Sequence, residues 1–298
     1  MHGKTALVTG STAGIGRETA RRLALMGADV ILVGRNPERA RAAAGELSRE
    51  AAGRVVALTA DLSDMAGQRR LAEQVTERYD RLDVLVNNAG GMNAERRLTR
   101  DGVEATFAVN VLAPYALTCL LLPLLRAAGK ARVVNLTGGM PDGTIDPGNL
   151  QGEKKYLGWT FAHYNQAKTA LMAMSHRFAS RLEDGEVTVN VAYPGHAYTP
   201  GNQATPMRAF PYLYRPAAPL IRLLGPLLLS DMGKASHSSV HLASSPEMEG
   251  VTGVYVNARA CRAAWPSGAL DTQAQQAVWS ECERLSGLDP DRDRPVRS

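Results

Sequence analysis

The chain has 298 residues, 45% of them hydrophobic and 21% charged, enough to bury the core of one large α/β domain or two small ones. That balance excludes collagen, coiled coil and intrinsic disorder. Lys and Arg total 34 against 29 Asp and Glu, a formal charge of +5, but the arginines are scattered and no basic stripe interleaves with aromatics, so no nucleic-acid partner is expected.

The first hydrophobic run, 5–9, reads as a strand and begins almost at once, so no signal peptide is expected. It runs into Thr9-Gly10-Ser11-Thr12-Ala13-Gly14-Ile15-Gly16, with a helix expected over 17–26. Further strands are expected at 29–33, 54–59, 84–87, 132–136, 187–192 and 253–256. Helices are expected at 37–51, 65–79, 103–125, 164–182 and 273–285. Several of the strands are continuous apolar runs, as in a parallel sheet buried on both faces. The alternation implies βαβ units. The expected fold is one α/β domain over 1–298, a Rossmann-type doubly wound parallel sheet of about seven strands.

Residues 199–231 break the pattern with prolines and large apolar side chains. They read either as a substrate lid or as a core-packing excursion. The longest candidate for a membrane span in the chain, 217–229, is interrupted by Pro219, Arg222, Gly225 and Pro226, and no segment reaches the roughly 18 apolar residues a span needs. No span is expected. Residues 289–298 are expected to fray. Cys119, Cys261 and Cys282 are too few and too far apart for a disulfide framework or a zinc site. A reduced, cytoplasmic location without a metal is the natural expectation.

The strand–glycine loop–helix order at 5–26 carries the first chemical signal. Glycines allow a tight turn and close approach of the backbone to a pyrophosphate. The helix N-terminus offers free N–H groups and a positive dipole end. The second strand ends Val33-Gly34-Arg35-Asn36, without the acidic residue that would favour NAD. Arg35, with Arg17 from the glycine loop, can pair with a 2′-phosphate, so the expected cofactor is NADP(H).

With these motifs in order, the chain resembles the short-chain dehydrogenase/reductase family over about residues 4–285. Thr9 to Gly16 matches its TGxxxGxG loop and Asp61-Leu62 its adenine-edge contact. Asn87-Asn88-Ala89-Gly90 matches NNAG, and Asn110 follows. Tyr164-Asn165-Gln166-Ala167-Lys168 matches YxxxK and Pro194-Gly195 the PG motif. Residues 149–156 resemble the retinol-dehydrogenase-like branch, which often carries an N-terminal membrane anchor; none is expected here. The resemblance implies that Gly10, Ser11, Thr12, Gly14, Ile15, Gly16, Arg17, Arg35, Asn36, Asp61, Leu62, Asn88, Ala89, Gly90, Tyr164, Lys168, Pro194, Gly195 and Thr199 bind the cofactor. It also implies that the long helices at 103–125 and 164–182 are where a homo-oligomer would form.

Tyr164 and Lys168, four apart, share a helix face. A tyrosine hydroxyl ordinarily titrates near 10, and a nearby ammonium would lower that value. Tyr164 could then exchange a proton with a carbonyl oxygen. The resemblance gives Lys168 the nicotinamide ribose and Asn110 a water that relays protons. His163 and His196 read as packing or wall residues.

One departure stands out. The family's catalytic serine follows the fifth strand, where this chain has Thr137-Gly138-Gly139, with Gly138 in the serine's place. A lost donor of this kind can cost on the order of 3 kcal/mol of transition-state stabilisation. Three accounts are open. The Thr137 hydroxyl enters the site as a catalytic group; Gly138 makes room for a bulky substrate or a substrate hydroxyl; or the site does not perform ordinary carbonyl reduction. The leading expectation is reduction of a carbonyl on a sizeable apolar or polycyclic small molecule. Redox-neutral chemistry, reduction of a double bond, and non-catalytic NADP(H) sensing are the alternatives.

Overall fold

The computed structural model describes residues 1–93, 95–139, 143–154, 156, 161–182, 185–195, 216, 219 and 231–290. Strands β1 (Thr5–Thr9), β2 (Asp29–Gly34), β3 (Val55–Thr59), β4 (Val84–Asn87), β5 (Ala131–Leu136), β6 (Val187–Ala192), β7 (Tyr255–Val256) and β8 (Arg262–Ala263) form one sheet in the order β3-β2-β1-β4-β5-β6-β7-β8. All neighbouring pairs are parallel except β7 with β8. The expectation of about seven strands misses β8. It is a two-residue antiparallel edge, too short to leave a periodicity in the sequence.

The helices are α1 (Gly14–Leu25), α2 (Pro37–Leu47), α3 (Met65–Thr76), α4 (Ala105–Ala127), α5 (Ala162–Arg181), α6 (Met232–Ser244), α7 (Ser267–Leu270) and α8 (Thr272–Ser286). Alternate strand residues face opposite helical layers, as the pleat dictates. Leu7, Ile31 and Leu85 pack with residues of α3, α4, α5 and α8. Ala6, Val8, Val30, Leu32 and Val86 pack with residues of α1, α2 and α6. Both faces are covered, which is why the strands read as continuous apolar runs.

Three boundaries bear on function. Helix α1 starts at Gly14, three residues before the expected start, so the second loop glycine already belongs to the helix. Helix α4 contains a π turn at Ala108–Leu112, which holds Asn110. At 23 residues α4 is long and apolar enough to cross a membrane by length and composition, which corrects the expectation that no segment is and that 217–229 is the longest candidate. In this fold α4 is largely buried in the core. On its outer side lies α8, whose fully buried Trp279 packs edge-on against Tyr115 of α4 and Phe178 of α5, at ring-centroid distances of 5.2 and 4.8 Å. Arg181 lies over the same indole at 4.5 Å. These are the two helices on which the resemblance places oligomer contacts.

Candidate active site

The sheet order reverses between β1 and β4, so a crevice opens at their carboxyl ends. The loop after β1 is built around Gly10 (φ +63°) and Gly14 (φ +58°), both in the left-handed region. Its crowding is severe. A Cβ on Gly16 would fall 2.2 Å from Asn88 Nδ2 and 2.6 Å from the Gly10 carbonyl oxygen. Asn88 clamps the loop from β4, its Nδ2 donating to the Thr9 carbonyl at 2.8 Å. The Thr9 hydroxyl accepts the N–H groups of Asn88 (3.0 Å) and Ala89 (2.9 Å). Thr9 was not singled out from the sequence, where it reads as the last strand residue.

Several expected cofactor contacts use their side chains elsewhere. The buried Ser11 hydroxyl donates to the Val8 carbonyl (2.7 Å) and accepts the Val33 N–H (2.9 Å), tying β1 to β2. Thr12 packs its methyl over Gly34. Ile15 packs against the core. Asn36 caps α2 by accepting the Arg39 N–H at 2.9 Å. Arg17 pairs with Glu46 of α2. For Ser11 that leaves only backbone groups for a ligand. The N-cap of α1, Ala13, makes no side-chain cap, which leaves the first-turn N–H groups available to an anion.

Gly10, Arg35, Asp61, Leu62, Ala89 and Gly90 line one cleft of about 540 Å³. Burial pushes the Asp61 carboxyl up, but hydrogen bonds from Ser63 and the charges of Arg35 and Arg100 outweigh it and hold the group below its usual value. A cleft floored by a glycine turn, with a carboxylate and a guanidinium at its far end, fits the adenosine half of a dinucleotide.

Beyond Gly90 the cleft meets the second cluster. Tyr164 and Lys168 project from α5 and Asn110 from α4. A Cβ on Gly90 would lie 2.7 Å from Asn110 Oδ1 and 3.1 Å from Lys168 Nζ, so these two groups converge there. Asn110 Nδ2 donates to the Gly91 carbonyl (2.7 Å) and the Thr106 carbonyl (2.8 Å). Lys168 Nζ donates to the Leu136 carbonyl at 3.0 Å and stands 6.0 Å from the Tyr164 ring centroid.

The Thr137–Gly138 ambiguity resolves geometrically. A Cβ on Gly138 would sit 3.1 Å from the Tyr164 hydroxyl. The Thr137 side chain is buried and its hydroxyl donates to the Lys168 backbone carbonyl at 3.4 Å. In this structure the Thr137 hydroxyl is thus turned to the α5 backbone, and Gly138 is the residue that faces Tyr164. Asn135, two residues earlier on the strand, faces the same helix and donates to Ser175 at 2.8 Å.

The expected lowering of the tyrosine pKa is also corrected. Burial, with a smaller push from Tyr193, raises Tyr164 to about 12. Burial lowers Lys168 to about 8. Desolvation disfavours the charged form of each group.

Sequence reasoning missed the hub beside this cluster. Glu104 is fully buried and caps α4 by accepting the Thr106 and Phe107 N–H groups. It also accepts from Tyr156 and pairs with His163. One signal was available: Glu104 is the only charged residue in 103–125. A lone carboxylate opening an apolar helix reads as a cap.

Pro194 is buried and Gly195 lies at φ +77° just beyond β6. Thr199, His196 and nearly all of the expected lid at 199–231 lie outside the described residues, as does the tail beyond Pro290. Among the described residues no cluster of three His, Cys, Asp or Glu side chains could hold a metal ion.

The chain matches the short chain dehydrogenase family model over residues 4–208. It is 34% identical to human retinol dehydrogenase 13 over 299 residues, covering 99% of this chain and 88% of that protein. It is 36% identical to mouse polyprenol dehydrogenase, covering 96% and 84%. A solved structure from Mycobacterium paratuberculosis superposes with a TM-score of 0.74 at 28% identity, covering 97% of this chain and 95% of that one. The RhlG/NADP active-site complex of Pseudomonas aeruginosa superposes with a TM-score of 0.64 at 29% identity, covering 87% and 96%. With the family model spanning more than half of its length, the chain belongs to the short-chain dehydrogenase family.

Proposed function

We propose that this chain is an NADPH-dependent reductase acting on a carbonyl of a sizeable apolar or polycyclic substrate, with Tyr164 as the proton donor. One observation carries the reading: the Tyr164 hydroxyl faces the side-chain-free Gly138, with Lys168 and Asn110 converging behind it at Gly90. Arg35 on the dinucleotide cleft supports a 2′-phosphate, and the likeness to an NADP complex supports the same cofactor. Retinol and polyprenol, named in two relatives, are long apolar alcohols, which supports an apolar substrate.

The chain's own groups divide the chemistry. The dinucleotide, when bound along Gly10, Arg35, Asp61, Ala89 and Gly90, supplies hydride. Tyr164, raised to about 12, is protonated at neutral pH. It can donate to an oxygen whose negative charge develops as its carbon accepts hydride. Lys168, at about 8, is mostly an ammonium at neutral pH and stabilises the tyrosinate left behind. Asn110, fixed by two backbone carbonyls, orients the return of a proton toward that lysine. Hydride to carbon and proton to oxygen give the alcohol, and Tyr164 regains its proton from solvent.

Gly138 favours a second reading on the same site. Without a hydroxyl beside Tyr164, the site suits redox-neutral chemistry or reduction at carbon. Loss of NADPH absorbance against retinal-like aldehydes, polycyclic ketones and quinones tests both, with Tyr164→Phe and NADH as controls. The reductase reading expects oxidation that requires Tyr164 and is much slower with NADH. It also expects Arg35→Ala to erase a preference of about ten- to a hundredfold for NADPH, the worth of a charge-assisted hydrogen bond. Binding of NADPH with no consumption by any carbonyl would sink it in favour of the second reading.

A further inference from the structure

We infer that Glu104, His163 and Tyr156 form a positioning unit that fixes the first turn of α5, and with it the Tyr164 hydroxyl, against the helix that carries Asn110. The inference rests on the reading of Tyr164 as proton donor. It starts from a deficit. The first N–H groups of any helix lack intrahelical partners, and the N-cap of α5, Phe161, makes no side-chain cap. Such an end frays unless something else holds it. Tyr164 stands in that first turn.

Glu104 supplies the hold. Its carboxylate accepts four hydrogen bonds: from the Thr106 N–H (2.9 Å), the Phe107 N–H (2.8 Å), the Tyr156 hydroxyl (3.0 Å) and His163 Nε2 (2.7 Å). Burial pushes this carboxyl up, but its donors, His163 foremost, outweigh that and keep it below the usual value. An ionised carboxylate only accepts, so His163 carries a proton on Nε2. The two backbone donors belong to the start of α4, which makes the carboxylate a fixed point of that helix. The other two donors come from the segment before α5 and from α5 itself.

The imidazole cannot easily swing away. It stacks on the Tyr156 ring at 4.8 Å, and the His163 N–H donates to the Tyr156 carbonyl at 3.0 Å. On its other edge a Cβ at Gly152 would lie 3.0 Å from His163 Nδ1. Both side chains of the pair are at most 2% exposed. Asn110 follows Glu104 on α4, and Tyr164 follows His163 on α5. Setting one pair therefore sets the other. A displacement of about 1 Å at a reacting group can cost roughly a hundredfold in rate.

His163→Leu, His163→Gln and Tyr156→Phe test the unit. Glutamine keeps an N–H donor within reach of Glu104, and leucine does not. Amide hydrogen exchange over 161–167 is read together with NADPH affinity, kcat and KM for a retinal-like aldehyde. For His163→Leu, exchange in the first turn should rise and kcat should fall about tenfold or more, with NADPH affinity and KM within about twofold. His163→Gln should recover kcat to within about threefold, and Tyr156→Phe should loosen the same turn to a smaller degree. Unchanged exchange in the first turn of either the leucine or the phenylalanine variant would overturn the inference. So would equal losses in the leucine and glutamine variants. If the wild-type chain reduces no carbonyl, the reductase reading falls, and the exchange measurement alone decides whether the unit holds the turn. If the leucine variant does not fold, the phenylalanine variant carries the same decision.

Discussion

The strand ends of β1 and β5 are both rich in glycine and lie at the same edge of one parallel sheet, yet glycine serves a different need in each. After β1 the glycines let backbone pack on backbone, and Asn88 and Thr9 lock the result with hydrogen bonds. There is no room for a side chain at Gly16. After β5, among the described residues, the nearest atom to a Cβ on Gly138 is the Tyr164 hydroxyl, and no backbone atom lies within 4 Å. The first loop is built to be approached by a ligand's phosphates. The second is the opening left in front of the Tyr164 hydroxyl, the proton donor of the proposed function. The same residue type thus marks backbone packed on backbone at one strand end and close approach to a side-chain hydroxyl at the other.

Substitutions can break or sharpen that contrast. The largest effect is expected at the opening. Tyr164→Phe should cut turnover by about a hundred- to ten-thousandfold, the usual worth of a general acid, while NADPH titration shows unchanged binding. Retained turnover would mean the opening is not where chemistry happens.

Lys168 should leave a signature in stability against pH. Its pKa is lowered from 10.5 to about 8 in the fold. Below 8 both states carry the proton and the folded state bears the full cost of a buried charge. Between 8 and 10.5 the unfolded chain holds more protons, so stability rises with pH, by about 3 kcal/mol at 1.36 per unit. Tyr164, raised from 10.0 to about 12, acts oppositely, since its folded form keeps a proton that the unfolded form loses, and stability falls between those values. Urea unfolding from pH 7 to 10 should show the rise in the wild type and lose it in Lys168→Met. A flat wild-type profile would contradict the buried lysine.

The β1 loop comes next. Gly16→Ala forces a methyl onto Asn88 and the Gly10 carbonyl and should cost about 1–3 kcal/mol of stability, with weakened NADPH binding. Gly138→Ala places a methyl 3.1 Å from the Tyr164 hydroxyl, a contact one side chain can relieve, so it should cost less stability than Gly16→Ala while crowding the substrate oxygen. Equal melting-temperature losses at the two positions would erase the contrast. The smallest effect belongs to Thr137→Val, which removes one long hydrogen bond to the Lys168 carbonyl, worth about 1 kcal/mol or less. Its turnover should match the wild type, and a loss as large as that of Gly138→Ala would return the Thr137 hydroxyl to the site.

Much of the fold is legible in the sequence because its signals are local and strong. Strands β1, β4 and β6 stand at the residues their apolar runs delimit, and α1 to α5 and α8 lie within a few residues of expectation, whereas α6 and α7 are not expected from the sequence. The misses have physical reasons. β8 is two residues long and exists only because β7 offers it an edge. The π turn in α4 shifts one turn of a continuous apolar helix, and no residue pattern there announces it. At the site, Gly10, Arg35, Asp61, Ala89 and Gly90 meet in one cleft and Tyr164, Lys168 and Asn110 in one cluster. Ser11, Asn36 and Arg17 have their side chains engaged within the protein, which a motif cannot reveal.

What the sequence determines alone is the order of strands and helices from β1 to β6, the glycine turn after β1, and the pairing of Tyr164 with Lys168 on one helix face. Each follows from spacing along the chain, where backbone geometry fixes neighbours. Tertiary structure decides the rest. It sends the Thr137 hydroxyl to a helix carbonyl, gives Gly138 to the space before Tyr164, and closes Glu104 onto His163 across 59 positions of chain. It also sets the titration of Tyr164 and Lys168, because burial is a property of everything packed around a group and not of its place in the sequence.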